Sequence, residues 1–230
     1  MAEKKEKYVY KRKENLWEAR YVKGYTAVGT PIRGSVYAPT MEEAIEKRRE
    51  LIGDPEEERK IPTHLNLLIL GAGSHGKNVK EVAESLRIFT KISFLDDKAI
   101  GDDIIGKCKD AMKFRNEYIC AFIAIGDSRI RKKYAKFLKE RNFLMPSIIA
   151  TAATVSPDAV IGEGVVILPQ STVNESVIGD FCILASNSLV NNDVKLGSFS
   201  HVDCGGIVMK GKKVPEGTWI KSGEIYGTKA

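Results

Sequence analysis

From Ile149 onward an aliphatic residue returns at every sixth position, and this spacing constrains the fold more than any other feature of the chain. The first series runs Ile149, Val155, Ile161, Ile167 and Val173. One residue is then dropped, and the series restarts as Ile178, Leu184, Val190, Leu196, Val202, Val208, Val214 and Ile220. If aliphatic residues make up about one position in four, eight consecutive hits arise by chance on the order of once in tens of thousands. Glycines gather beside the series, at Gly162, Gly164, Gly179, Gly197, Gly205 and Gly206. Six is neither a helical nor a heptad period, and β-branched residues and glycine abound, so an amphipathic helix is excluded.

Fixed-period self-similarity marks a stacked solenoid. Three short strands of six residues each make one triangular coil of about eighteen, with the aliphatic anchors pointing into the prism and small residues at the corners. The expected fold of residues 148–230 is a left-handed parallel β-helix of about four coils. Such a scaffold does not by itself fix a chemistry.

The remainder divides at two seams. Gly53-Asp54-Pro55-Glu56-Glu57-Glu58-Arg59-Lys60-Ile61-Pro62 has linker composition, and periodicity changes near Met145-Pro146-Ser147. The chain therefore reads as a small βββα accessory domain (1–53), a linker (54–63), an α/β half-Rossmann domain (64–147) and the β-helix (148–230). No apolar run approaches membrane-spanning length, so no membrane association is expected. The charged start lacks the apolar core of a secretory signal. Cys108, Cys120, Cys182 and Cys204 lack zinc-type spacing, so no metal site is expected. Reduced thiols in a cytoplasm are the expectation. The net charge of +6 permits phosphate-bearing partners without requiring them.

In the first segment, strands are expected over Tyr8–Lys13, Leu16–Val22 and Pro31–Tyr37. A capping box, Thr40-Met41-Glu42-Glu43, opens a helix that runs to about Ile52. This layout, with Trp17-Glu18-Ala19-Arg20, resembles the AP2-like, arm-type DNA-binding domain of tyrosine integrases. The resemblance implies a sheet face entering a DNA groove, with Lys11, Lys13, Arg20, Lys23 and Arg33 on phosphates. The competing and favoured reading is an accessory domain that makes interdomain or oligomer contacts.

In the middle segment the apolar strand Leu65–Leu70 leads into Gly71-Ala72-Gly73-Ser74-His75-Gly76-Lys77, and a helix is expected from about Lys77 to Leu86. Strands are expected at Lys91–Leu95, ending in Asp96-Asp97, and at Ile119–Ile125, ending in Gly126-Asp127. A basic helix, Arg129–Glu140, comes next. Three readings of the loop compete. A phosphate loop needs Ser or Thr where Asn78 stands. A dinucleotide site has its G-x-G-x-x-G and an acidic residue about twenty positions on, but 64–147 supplies only about half such a fold. A half-Rossmann domain could hold a mononucleotide or nucleotide sugar, with phosphate at the helix N-terminus. His75 is singled out as a ligand contact in the crevice, against the blander role of a surface capping histidine.

These motifs occur in order with Ala124-Ile125-Gly126-Asp127-Ser128-Arg129, with Ala153-Thr154-Val155-Ser156-Pro157-Asp158 and with Gly197-Ser198-Phe199-Ser200-His201. Together they resemble the bacterial NeuD/PglD-type sugar acetyltransferases, which carry hexapeptide repeats. The resemblance implies a cytoplasmic homotrimer that uses acetyl-CoA and a nucleotide sugar, a UDP-linked amino sugar being the expected acceptor, in surface-glycan biosynthesis. It implies substrate contacts at Gly71, Gly73, Ser74, His75, Gly76, Asp96, Asp97 and Gly126. It implies coenzyme contacts at His201, Gly205 and Gly206, and a transfer site at Asn192, Asp193 and His201. Asn192 stands where the family has its catalytic histidine, and an amide cannot serve as general base. Two functions therefore remain open: an acyl-CoA-dependent sugar acyltransferase, with His201 taking over as base, or a non-catalytic nucleotide-sugar-binding trimer.

Overall fold

The computed structural model describes residues 8–25, 31–52 and 65–228. The chain forms two compact units, 1–63 and 64–230. The expected linker, 54–63, lies outside the described residues.

The first unit is an antiparallel sheet of β1 (Val9–Lys13), β2 (Leu16–Tyr25) and β3 (Pro31–Ala38) in the order β1-β2-β3, followed by α1 (Met41–Ile52). The expected βββα layout is thus present. Ala19, Ala38 and Ala44 form its small core, with Val9, Trp17 and Val36 packed around them. The Thr40 hydroxyl accepts the Glu43 N–H at 3.2 Å, as the capping box requires. On the opposite sheet face Glu18 lies buried beneath Arg12, Arg20 and Ser35. The Ser35 hydroxyl and the two guanidinium groups lower its carboxyl to about 2. Arg20 is thus committed to an internal carboxylate, and the integrase-like reading of this unit is not borne out.

In the second unit β4 (Leu65–Leu70), β5 (Phe89–Leu95), β6 (Ile104–Gly106) and β7 (Cys120–Ile123) form a parallel sheet in the order β6-β5-β4-β7. Helix α2 (Ser74–Ser85) and helix α3 (Ser128–Lys139) pack on opposite faces. This explains the unbroken apolar run of β4: Leu67 and Ile69 enter one core and Leu68 and Leu70 the other. Strand β6 and the 3-10 turn Cys108–Phe114 lie in a stretch for which the sequence suggested no element.

Residues 148–226 make a left-handed β-helix of fourteen two-residue strands, β8 (Ile148–Ile149) to β21 (Ile225–Tyr226), stacked as three parallel sheets. Every aliphatic residue of the six-residue series is the second residue of its strand. Val166 pairs with Ile148 and His201 with Ile183, eighteen positions apart; Ile183 pairs with Val166, seventeen apart, where the series drops a residue. From Ile167 to Ile220 these anchors are buried, and Ile149, Val155 and Ile161 close the first coil half-buried. Tyr226 extends the series by one further step. The corners turn through left-handed backbone, also at six-residue spacing, at Phe181, Asn187, Asp193, Phe199, Gly205, Gly211, Gly217 and Gly223. Glycine is therefore one of several residues that make this turn, with asparagine and aspartate tolerated there for their local hydrogen bonding.

The first face of the prism consists of β8, β11 (Val166–Ile167), β14 (Ile183–Leu184), β17 (His201–Val202) and β20 (Trp219–Ile220). Its outward residues Ile148, Val166 and Ile183 are buried in one core with α2 and the sheet. The next two, His201 and Trp219, continue the same row beyond that core.

The prism interior is close-packed, so deleting a side chain there leaves a cavity. Leu184→Ala is expected to cost about 2–5 kcal/mol, read as a lowered urea midpoint with an unchanged slope.

Candidate functional site at the edge of the shared core

The glycine loop is set by contacts that glycine alone permits. Gly71 has φ +104° and lies against the Ala124 carbonyl, and a Cβ at Gly76 would come within 2.0 Å of the Gly71 oxygen. These two glycines pack the start of α2 onto the strand ends. A Cβ at Gly73 or at Gly126 would meet nothing within 4 Å. Those two glycines leave the backbone open to an approaching ligand. Helix α2 begins at Ser74, three residues earlier than the sequence suggested, with Gly73 as an N-cap that offers no side-chain acceptor. Apolar periodicity begins only with Val79, which is why the first turn read as loop.

Asp96, expected as a substrate contact, is engaged by the backbone. Its Oδ2 accepts the Ala72 N–H at 2.7 Å, and its Oδ1 accepts the Lys98 and Ala99 N–H groups at 2.8 Å. These bonds, led by that from Ala72, lower its pKa. The carboxylate therefore pins the glycine loop to the end of β5. Asp97 Oδ1 accepts the Cys108 N–H at 3.1 Å. Both carboxylates end a strand as expected, and each accepts backbone N–H groups that fix the loops around the strand ends.

His75 lies in the first turn of α2, its ring centroid 6.5 Å from that of His201. Its Nε2 is buried without a hydrogen-bond partner. Burial, then the neighbouring His201 and Arg131, push its pKa down to about 4. His201 in turn lies under Trp219, the rings nearly parallel at 15° with centroids 6.1 Å apart. The row His75–His201–Trp219 thus runs from the glycine loop to an indole that is 61% exposed.

Beside this row is a cavity of about 400 Å³ lined by Gly126, Asp127, Ser128, Arg129, Phe199, His201, Gly217 and Trp219. Asp127 caps α3, its Oδ1 accepting the Arg129 and Ile130 N–H groups, and those bonds with the Arg129 guanidinium keep it ionised. Arg131, one turn into α3, is 1% exposed and has carbonyl partners. It donates to Ile125 and Gly126 on the cavity loop and to Phe181 and Phe199, the same prism corner in two successive coils. A buried guanidinium with every bond made to carbonyls fixes the cavity loop against the β-helix.

Of the residues expected at the site, the fold brings together Gly71, Gly73, Ser74, His75, Gly76, Gly126 and His201. Asn192 and Asp193 lie elsewhere. They form the corner between β15 (Leu189–Val190) and β16 (Lys195–Leu196), which joins the second and third faces and so lies opposite the first. Asp193 is itself the left-handed turn residue, and its carboxylate is 3.5 Å from Lys210 Nζ. Within one chain the Asn192–Asp193 pair and His201 do not meet. Gly205 and Gly206 turn the corner after β17, beyond the residues that line the cavity. Sequence reasoning missed Trp219 and the Arg131 latch. Reading every third strand for its outward residue, Ile148, Val166, Ile183, His201 and Trp219, would have found the first. The second gives no local signal. Among the described residues no cluster could hold a metal ion, and no helix is long and apolar enough to cross a membrane.

Residues 66–138 match the family of the PglD N-terminal domain. The fold is shared with the acetyltransferase domain of PglB from Neisseria gonorrhoeae, crystallised in complex with acetyl coenzyme A. That match has 24% identity and a TM-score of 0.61, covering 68% of this chain and 87% of that one. It is also shared with a perosamine N-acetyltransferase from Caulobacter crescentus, crystallised with CoA and GDP-perosamine. Here identity is 23% and the TM-score 0.62, covering 70% of this chain and 87% of that one. The resemblance to NeuD/PglD-type proteins thus rests on two findings, a matched domain family over the sheet and a common fold through the β-helix.

Two outcomes are expected from the loop. Gly76→Ala should cost about 1–3 kcal/mol through overpacking, whereas Gly73→Ala should leave the thermal midpoint nearly unchanged and weaken ligand binding in calorimetry. His75 should also make stability pH-dependent. Above pH 6.5 it is neutral whether folded or unfolded. Below that, the unfolded chain takes up a proton that the folded chain refuses until about pH 4, costing about 1.4 kcal/mol per pH unit. His75→Leu should reduce the slope of denaturant titrations between pH 6.5 and 4 by that share, His201 leaving a remainder.

Proposed function

We propose that this protein transfers an acetyl group from acetyl-CoA to the amine or hydroxyl of a nucleotide-linked sugar. The observation that carries this reading is the cavity at His201, between the Gly126–Arg129 loop that opens α3 and the face of a β-helix, with His75 of the glycine loop beside His201. The relatives that share the fold, one crystallised with acetyl-CoA and one with CoA and a nucleotide sugar, support it. The Gly71–Gly76 loop, with His75 and Gly126, takes the nucleotide-sugar side, and a UDP-linked amino sugar is the proposed acceptor. The protein works as a cytoplasmic homotrimer, with the coenzyme lying between neighbouring prisms near Gly205 and Gly206. In that assembly the Asn192–Asp193 corner of a neighbouring copy faces the cavity.

His201 is the proposed base. Of the cavity-lining residues, Asp127 is spent on a helix cap and Arg129 is a cation, so His201 is the group left to accept a proton. Burial holds its pKa below the usual histidine range, so it stays unprotonated at neutral pH. Acting as base, it would sustain turnover to below pH 6.5, and activity should fall as pH drops through that lowered value.

One observation favours a second reading, a nucleotide-sugar-binding protein without catalysis: Asn192 offers an amide that cannot accept the proton of an attacking amine. A thiol-release assay with acetyl-CoA and a panel of amino-sugar nucleotides separates the two. The first reading expects CoA release with at least one acceptor and a loss of about 10²–10⁴-fold in kcat for His201→Gln. Nucleotide binding without CoA release from any acceptor would establish the second.

A further inference from the structure

An imidazole works as a base only if one nitrogen is held as a donor so that the other presents its lone pair. Resting on the acyl-transfer reading, we propose that Asp203 is the positioning residue that holds His201 Nε2 as the donor and leaves Nδ1 to accept the proton of the attacking group.

Asp203 Oδ1 lies 4.0 Å from His201 Nε2, and both side chains are largely buried. The distance is longer than a formed hydrogen bond and fits a pair that closes when the substrate seals the cavity. The carboxylate is itself fixed. Its Oδ1 accepts the Cys204 N–H at 2.8 Å, and the nearby Ser222 and Trp219 side chains favour its ionised form. Although burial opposes its ionisation, these bonds and the nearby His201 keep it charged. Trp219 therefore touches both members of the pair: its ring covers His201, and its side chain favours the ionised form of Asp203.

The other charged and titratable groups near His201 oppose its protonation or are otherwise engaged. His75 on α2 faces it at 6.5 Å, and Arg131 on α3 adds a buried cation. On the cavity loop, Asp127 and Arg129 pair with each other. Asp203 is thus the anion acting on His201, and it offsets part of what burial and Arg131 impose. Without it the ring would lose both its orientation and its attraction for a proton.

The step balances as follows. The acceptor nitrogen or oxygen attacks the thioester carbonyl and gives its proton to His201 Nδ1. The C–N or C–O bond forms, the C–S bond breaks, and the proton passes from the imidazolium to the departing CoA thiolate, releasing free thiol.

The chain has three histidines, so nitrogen-15-edited spectra of the imidazoles can follow each one in the full-length protein, with His201→Gln assigning the signal. His201 should exist as the Nε2–H tautomer. In Asp203→Asn its titration midpoint should fall by half a pH unit or more and its tautomers should mix, with Asp203→Glu restoring part of both. Trp219→Phe keeps a ring over His201 and removes the polar N–H that favours ionised Asp203, so it should produce a smaller change of the same sign. In turnover, the acid limb of the kcat/KM profile should move by the same amount as the midpoint, with kcat falling more than KM changes. An unchanged tautomer and midpoint in both Asp203→Asn and Trp219→Phe would overturn the inference while leaving acyl transfer intact. Coupled titration in a protein that turns over no acceptor would uphold the pairing and overturn the acyl-transfer reading.

Discussion

The stacking of aliphatic side chains inside a three-sided prism is the constraint on which the second unit depends. Each anchor from Ile167 to Ile220 buries an aliphatic side chain, worth about 1.5–3 kcal/mol, and the anchors stack coil upon coil in one core. Because the chain must return to the same face after eighteen positions, outward residues are held in rows as firmly as the inward ones. The first face spends three steps of its row on a core shared with the parallel sheet and α2. It then presents two steps, His201 and Trp219, to the cavity. The site is the place where that row leaves the shared core.

Electrostatics refines what the stacking positions. Arg131 is a buried cation whose bonds go to carbonyls of both the sheet loop and the prism corners. Removing its carbonyl partners would leave a desolvated charge, so the cavity loop and the corners are bound to move together. The same cation, with burial, holds His75 and His201 neutral. A cation that contacts only carbonyls thereby favours the neutral form of both imidazoles.

The residues explain which expectations survived. The six-residue series was legible because each anchor obeys one local rule repeated thirteen times, and all thirteen fall at the same strand position. The glycine loop was legible because Gly71 and Gly76 answer to steric contacts within their own strand–turn–helix unit. The structural role of Asp96 was not legible because its Ala72 partner comes from a loop brought beside it only by strand pairing. Asn192 and His201 lie nine positions apart in the chain, yet on a solenoid half a coil separates them onto a corner and the face opposite.

The sequence by itself determined the prism, the α/β layer before it and the glycine turn between strand and helix, because periodicity and local sterics are written in near neighbours. The tertiary structure alone decided that His75, Arg131, Asp203 and Trp219 converge on His201. Those residues span more than a hundred positions, and their meeting depends on how many coils the sheet covers before the first face emerges. No local rule encodes that number; the packing of α2 and β4 against Ile148, Val166 and Ile183 sets it.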